Sequence, residues 1–320
     1  MQESPEVTSP DAGPDAGRKS DAPPGWGTRI RRHLARLCII YLGVCLLLTV
    51  FQRNLIYIPT RENTIDPMAY ALPASRIEAC SFTGEDGIEV RGWQIAAQKQ
   101  MADKVPHTER RAAIIFHGNG HHRGGRGYLF QLFNALDCDV FIFDYLGYGE
   151  TEGSPSETAN VANALHQWKQ ITGEWGYQPD NIVIFGESLG GGVATQAISQ
   201  ICSSGTAPRA LILRSTFSSL VDAAGYHYPW LPVRLLLRDR YLSTDAIRNV
   251  TCPILVIHGT EDEIVPYELG ERLYNAAPAQ SASGIPKEML KLIGADHNNV
   301  SHRPDSVLGE GVRAFLGRLE

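Results

Sequence analysis

Short runs rich in β-branched and aromatic residues recur along this chain at 112–116, 140–144, 182–187, 210–214, 254–258 and 289–293, with helical spacing between most of them. Val161, Leu165, Trp168 and Trp175 mark one helical face, and Val193, Ala194, Ala197, Ile198 and Ile201 mark another. A parallel crossover needs a returning helix, so this alternation leads to an α/β fold with a mostly parallel sheet covered on both sides. Such a sheet binds its ligands at the carboxyl ends of its strands. Ahead of the alternation, runs 77–82 and 88–97 flank the turn Gly84-Glu85-Asp86-Gly87, and an antiparallel pair is expected there. No internal repeat is visible, and one domain is expected over about 65–320.

The segments upstream are of another kind. Residues 1–27 carry five prolines and hardly any large apolar side chain, the composition of a disordered tail. Then comes Arg29-Ile30-Arg31-Arg32-His33-Leu34-Ala35-Arg36, followed by an uncharged, mostly apolar run over 37–52. At about 1.5 Å per residue that run reaches about 24 Å, short of a hydrocarbon core of about 30 Å. Leu34, Ala35, Leu55 and Ile56, with snorkelling of Arg36 and Arg53, close the difference. An uncleaved signal anchor, a single pass over 28–58, is therefore expected. A cleaved signal peptide is the first rival, but it needs a small-x-small site close behind, and Leu48-Thr49-Val50-Phe51-Gln52 has none. A helix on a lipid surface and a buried helix are the other rivals. Arg18, Lys19, Arg29, Arg31, Arg32 and Arg36 precede the span, whereas only Arg53 and Arg61 closely follow it. That asymmetry sets the tail in the cytoplasm and the bulk of the chain on the non-cytoplasmic side of the membrane.

A net charge of -6 gives no basic footprint, which argues against a nucleic-acid partner. The six cysteines lack metal-ligand or paired-motif spacing, so buried free thiols are expected. The sequence does not disclose the oligomeric state.

The candidate chemistry begins at Gly186-Glu187-Ser188-Leu189-Gly190-Gly191, directly after the apolar run Asn181-Ile182-Val183-Ile184-Phe185. A serine in a tight turn between strand and helix needs neighbours nearly free of side chain two positions away, and Gly186 and Gly190 meet that need. A serine hydroxyl is a poor nucleophile, so acyl transfer needs a base, an acid to orient it, and donors for the oxyanion. Asp262 sits in the tight loop after run 254–258 and is the candidate acid; Glu261 and Glu263 are expected to face solvent, though either could substitute for it. His297, in Gly294-Ala295-Asp296-His297-Asn298-Asn299 beyond the last run, is the candidate base. The oxyanion is assigned to the backbone N–H groups of Asn119, in His117-Gly118-Asn119-Gly120, and of Leu189. His117 is expected to brace that loop. His121 and His122 cluster with it, but adjacent histidines do not converge readily on one ion, so neither metal nor cofactor is expected.

Phe116-His117-Gly118-Asn119-Gly120, Phe143-Asp144-Tyr145-Leu146-Gly147-Tyr148-Gly149, the segment around Ser188, His258-Gly259-Thr260-Glu261-Asp262 and Asp296-His297 together resemble the α/β-hydrolase superfamily. With Phe51-Gln52-Arg53-Asn54-Leu55-Ile56-Tyr57-Ile58-Pro59-Thr60 after the span, the chain resembles more narrowly its single-pass membrane-anchored serine hydrolases, the abhydrolase-domain proteins. The resemblance covers nearly everything from Arg36 onward and implies hydrolysis of an acyl ester or thioester, with a lipid among the candidate substrates. It does not select the substrate. A serine peptidase or amidase of the same fold is the enzymatic rival, and a non-catalytic membrane-anchored scaffold the other. Residues 215–250 occupy the place of a short cap insertion. Tyr226, Tyr228, Trp230 and Leu235–Leu237 within it suit an acyl chain, a membrane surface, or plain packing onto the sheet.

Overall fold

The computed structural model describes residues 26–70, 72 and 74–319, so the tail expected over 1–27 lies almost wholly outside the described residues. The chain divides into two compact units between Leu47 and Leu48. One helix, Trp26–Ile56, runs 31 residues, or about 46 Å. Its stretch Arg29–Ile56 is long and apolar enough to cross a membrane by length and composition.

The second unit is built on a sheet. Its strands in chain order are β1 (Ile58–Pro59), β2 (Ile77–Thr83), β3 (Glu89–Ile95), β4 (Arg111–Phe116), β5 (Gly120–His121), β6 (Cys138–Phe143), β7 (Ile182–Glu187), β8 (Ala210–Arg214), β9 (Ile254–Gly259) and β10 (Glu288–Leu292). Eight of them form one sheet in the order β10-β9-β8-β7-β4-β6-β3-β2. Strands β4 and β6 to β10 pair in parallel, while β3 meets β2 and β6 antiparallel. The short β1 and β5 pair in parallel by themselves, with Ile58 opposite Gly120.

The period-2 alternation of side chains sorts the core into two layers. Ile114, Phe116, Ile182, Ile184 and Val256 enter one buried cluster. Ala113, Ile115, Val183, Phe185 and Ile257, their sequence neighbours, enter the other. Strands buried on both faces read as continuous apolar runs for this reason. Phe185 is completely buried, and truncating such a side chain to alanine typically costs about 3–5 kcal/mol. Local signals also set the helix starts. Ser156 accepts from the amide of Ala159 at 3.1 Å to cap helix Glu157–Lys169, and Ser306 caps Val307–Gly317 the same way.

The position of β4 decides where a ligand can bind. Its neighbours are β6 on one side and β7 on the other, so the crossovers reverse there and a crevice opens beyond its carboxyl end. Register places Phe116, the last residue of β4, opposite Gly186 of β7.

Candidate active site

Strand β7 ends at Glu187 and helix Leu189–Ser203 starts two residues later, so Ser188 alone must turn the chain. Its φ of 52° and ψ of -117° are a strained pair for a residue with a side chain. Several contacts over-determine the turn. The Ser188 amide donates to Arg214 O at 2.9 Å, and Ser188 O accepts from the Gly191 amide at 2.9 Å and from Thr216 Oγ1 at 2.7 Å. A Cβ on Gly190 would stand 2.0 Å from Phe116 O, and one on Gly186 would stand 2.7 Å from Gly190 O. Glycine at both positions is thus a packing requirement.

The loops after β9 and β10 bring Asp262 and His297 together. His297 Nδ1 lies 2.7 Å from Asp262 Oδ2, while Asp262 Oδ1 accepts from the amides of Ile264 at 3.0 Å and Val265 at 2.8 Å. Burial works against the charge on Asp262. Hydrogen bonds from His258 and His297, the imidazole charge and the Val265 amide outweigh it and hold the carboxyl well below the usual carboxylate range. Glu261 and Glu263 are exposed. Ser188 and His297 are both half-buried, and among the described residues no hydrogen bond joins the Ser188 hydroxyl to the imidazole. Such contacts commonly tighten only when substrate binds.

The loop after β4 lies against the turn: a Cβ on Gly118 would stand 3.6 Å from Ser188 Cβ. The Asn119 side chain is held at both of its polar atoms. Its Oδ1 accepts from Tyr148 Oη at 2.7 Å and from the Ile58 amide at 3.2 Å, and its Nδ2 donates to Ile56 O at 2.5 Å. The amides of Asn119 and Leu189 have no hydrogen-bond partner among the described residues. Tyr145 Oη donates to His117 O at 2.9 Å, so the segment after β6 braces this loop from beneath. His117 is completely buried against the Tyr145 ring, and burial followed by the nearby Arg126 pushes its imidazole down to about 3. It is therefore neutral. His122 pairs with Glu62 and Tyr70 at 3.0 and 3.1 Å.

Motif reading alone misses a buried network centred on Glu187. Its carboxylate lies 3.2 Å from Arg214 Nη1 and 3.7 Å from Arg126 Nε, and it accepts from Tyr128 Oη at 2.8 Å. Burial opposes this charge too, but the two guanidinium groups bring the carboxyl down to about 2. Each arginine reaches onward. Arg214 Nη2 donates to His297 O at 2.5 Å, and Arg126 Nη2 donates to Gly120 O at 2.6 Å. The residue before Ser188 thus holds both flanking loops. Opposite charges at the ends of two apolar strands, with Glu187 in register with Arg214, are the sequence signal that could have found it.

A second missed contact joins the end of the long helix to the cap. Arg53 pairs with Asp239 through Nε at 3.0 Å and Nη2 at 3.1 Å, and Tyr57 Oη donates to the same carboxylate at 3.0 Å. Gln52 closes a two-way bond, donating to Leu236 O at 3.2 Å and accepting from the Arg238 amide at 2.7 Å. The cap itself is short, with helices Leu220–His227, Val233–Leu236 and Ser243–Ala246. Tyr226, Tyr228, Trp230 and Leu235 are all exposed, so they do not pack the cap onto the sheet. One cavity of about 570 Å³ lies along Glu157, His166 and Gln200, and another of about 240 Å³ is lined by Arg111, Arg209 and Arg313 at the amino ends of the strands. Neither touches Ser188, and the second sits at the end of the sheet opposite the crevice.

The family model described as serine aminopeptidase, S33, matches residues 107–236. An uncharacterised protein of Mycobacterium tuberculosis is 35% identical over 286 residues, covering 88% of this chain and 93% of its own length. Lysophosphatidylserine lipase ABHD12 of Danio rerio is 31% identical over 261 residues, covering 72% of this chain and 68% of the lipase. Among solved structures, the Pyrococcus furiosus esterase Pf2001 has a TM-score of 0.57 at 17% identity, over 82% of this chain and 97% of the esterase. A puromycin-hydrolysing peptidase of Mycobacterium tuberculosis also has a TM-score of 0.57, at 20% identity, over 76% of this chain and 39% of the peptidase. Likeness at such identities speaks to the fold alone.

Proposed function

The chain belongs to the α/β-hydrolase superfamily, and from that premise we propose that it is a membrane-anchored serine hydrolase cleaving carboxylic ester or thioester bonds. The observation that carries this reading is the His297–Asp262 contact of 2.7 Å together with the strained Ser188 turn after β7, at the same carboxyl edge of the sheet. In the proposed reaction His297 takes the Ser188 proton as Oγ attacks the acyl carbon. Asp262 fixes the imidazole with Nδ1 protonated and stabilises the cation that forms. The oxyanion is received by the amides of Asn119 and Leu189, which have no partner among the described residues, and each such donor typically lowers the barrier by about 3–4 kcal/mol. His297 then gives its proton to the leaving alcohol or thiol. Water, activated by the same imidazole, releases the acyl group from Ser188.

The anchor reading rests on helix Arg29–Ile56 and on the excess of arginine before it, which favours the non-cytoplasmic side for the proposed catalytic unit. Lysophosphatidylserine is the first natural ester to test, on the strength of the relative's name. The aminopeptidase description of the family model favours amide hydrolysis as the second reading.

The test is labelling of detergent-solubilised protein by a fluorophosphonate, alongside turnover of p-nitrophenyl esters, acyl thioesters and aminoacyl amides. Wild type is expected to label and to turn over esters or thioesters, and Ser188→Ala to lose both, with turnover down by a factor of about a million. Amide turnover without ester turnover would favour the peptidase. A folded wild type that does not label would favour the scaffold.

A further inference from the structure

A face of large outward-turned side chains runs between the end of the long helix and the loop that carries Asp262. Leu235 is 85% exposed, Tyr226 61%, Trp230 55%, Tyr228 52% and Ile264 51%. Single exposed apolar residues are ordinary, but several on one segment mark an interaction site.

Hydrogen bonds fix both ends of that face. At one end Leu236 O and the Arg238 amide pair with Gln52, the residue at which the apolar run over 37–52 gives way to Arg53. At the other, His227 Nε2 donates to Ile264 O at 2.9 Å, two residues beyond Asp262. The segment therefore begins at the level where a spanning helix meets water and ends at the acid's loop. Its composition suits that level. Tyrosine and tryptophan collect at membrane interfaces, and the exposed Arg234, Arg238 and Arg240 offer positive charge to anionic headgroups.

We propose that residues 226–236, with Ile264, dock on the surface of the lipid bilayer and hold the Asp262 loop against it, so that acyl substrates reach Ser188 from the membrane. This rests on the membrane-anchored hydrolase reading and adds a second contact with lipid, outside the span.

The full chain is reconstituted in vesicles of phosphatidylcholine and phosphatidylglycerol with brominated acyl chains, and tryptophan quenching is compared between wild type and Trp230→Phe. The other four tryptophans are common to both proteins, so the difference isolates Trp230. Wild type is expected to be quenched by a larger fraction; equal quenching overturns the proposal. Resistance to alkaline carbonate checks the span separately. A variant carrying Trp230→Glu and Leu235→Glu is expected to lose about tenfold in turnover of a long-chain ester dispersed in the vesicles, and to keep turnover of a water-soluble short ester within about twofold. Equal losses on both esters overturn the docking surface. A wild type that hydrolyses neither ester strikes instead at the hydrolase reading, and the quenching comparison still decides the docking.

Discussion

Glu187 Oε2 lies 3.2 Å from Arg214 Nη1, inside an apolar sheet and one residue before Ser188. That ion pair is the hub from which the loops of His297 and Asn119 are held, because Arg214 and Arg126 each pass one bond outward to a loop carbonyl.

Glu187→Gln keeps the shape and removes the charge. It leaves Arg126 and Arg214 buried without their counter-ion, and breaking a buried pair in this way typically costs about 3–5 kcal/mol. Denaturant unfolding should register that loss. Glu187→Asp, which keeps the charge, should recover part of it.

Asp262→Asn should leave KM nearly unchanged and lower kcat by about 10⁴-fold on whichever ester proves a substrate. The reason is geometric: an amide in place of Oδ2 presents a donor to Nδ1 and selects the wrong imidazole tautomer. Steady-state kinetics at matched folded protein concentration checks it.

Tyr148→Phe removes the hydroxyl that donates to Asn119 Oδ1 at 2.7 Å, a contact worth about 1 kcal/mol. The loop proposed to carry an oxyanion donor is then less firmly held, so kcat should fall roughly fivefold with little change in KM. A change confined to KM would place Tyr148 in substrate binding instead.

The pH dependence of stability follows from His302, whose imidazole is pushed down to about 4 by burial and then by Arg214. Between pH 6.5 and about 4 the unfolded chain binds a proton that the folded chain refuses. The stabilisation is therefore complete above pH 6.5 and is lost as the pH falls towards 4, by up to about 1.4 kcal/mol per pH unit. His117, pushed down to about 3, acts in the same direction. Glu187, held at about 2, adds a later loss below the ordinary carboxylate range. His302→Gln should flatten the curve of unfolding free energy between pH 6.5 and 4, and an unchanged slope would show that the ring is already protonated in the fold.

The central strands are legible because each is an apolar run buried on both faces, and Ser188, Asp262, His297 and Asn119 stand out as candidates because each follows such a run. What escapes the sequence is whatever has no period. Strands β1 and β5 are two residues each, too short to show alternation, yet they tie Ile58 to the Asn119 loop. Arg126 stands 61 residues from Glu187, and nothing local announces their meeting. The cap stretch is apolar in composition whether it faces lipid, substrate or sheet, so only the folded structure separates its exposed Leu235 from a packed one.

The bonds of Gln52, Arg53 and Tyr57 to the cap, and of Ile56 and Ile58 to Asn119, bear on any attempt to exchange the long N-terminal helix for another leader. A splice made at the end of the helix would carry away the acceptor of Asn119 Nδ2 and the partner of Asp239. Loss of activity in such a hybrid would report a damaged scaffold and would be misread as a requirement for lipid. A splice ahead of Leu48 preserves these contacts and separates the two explanations.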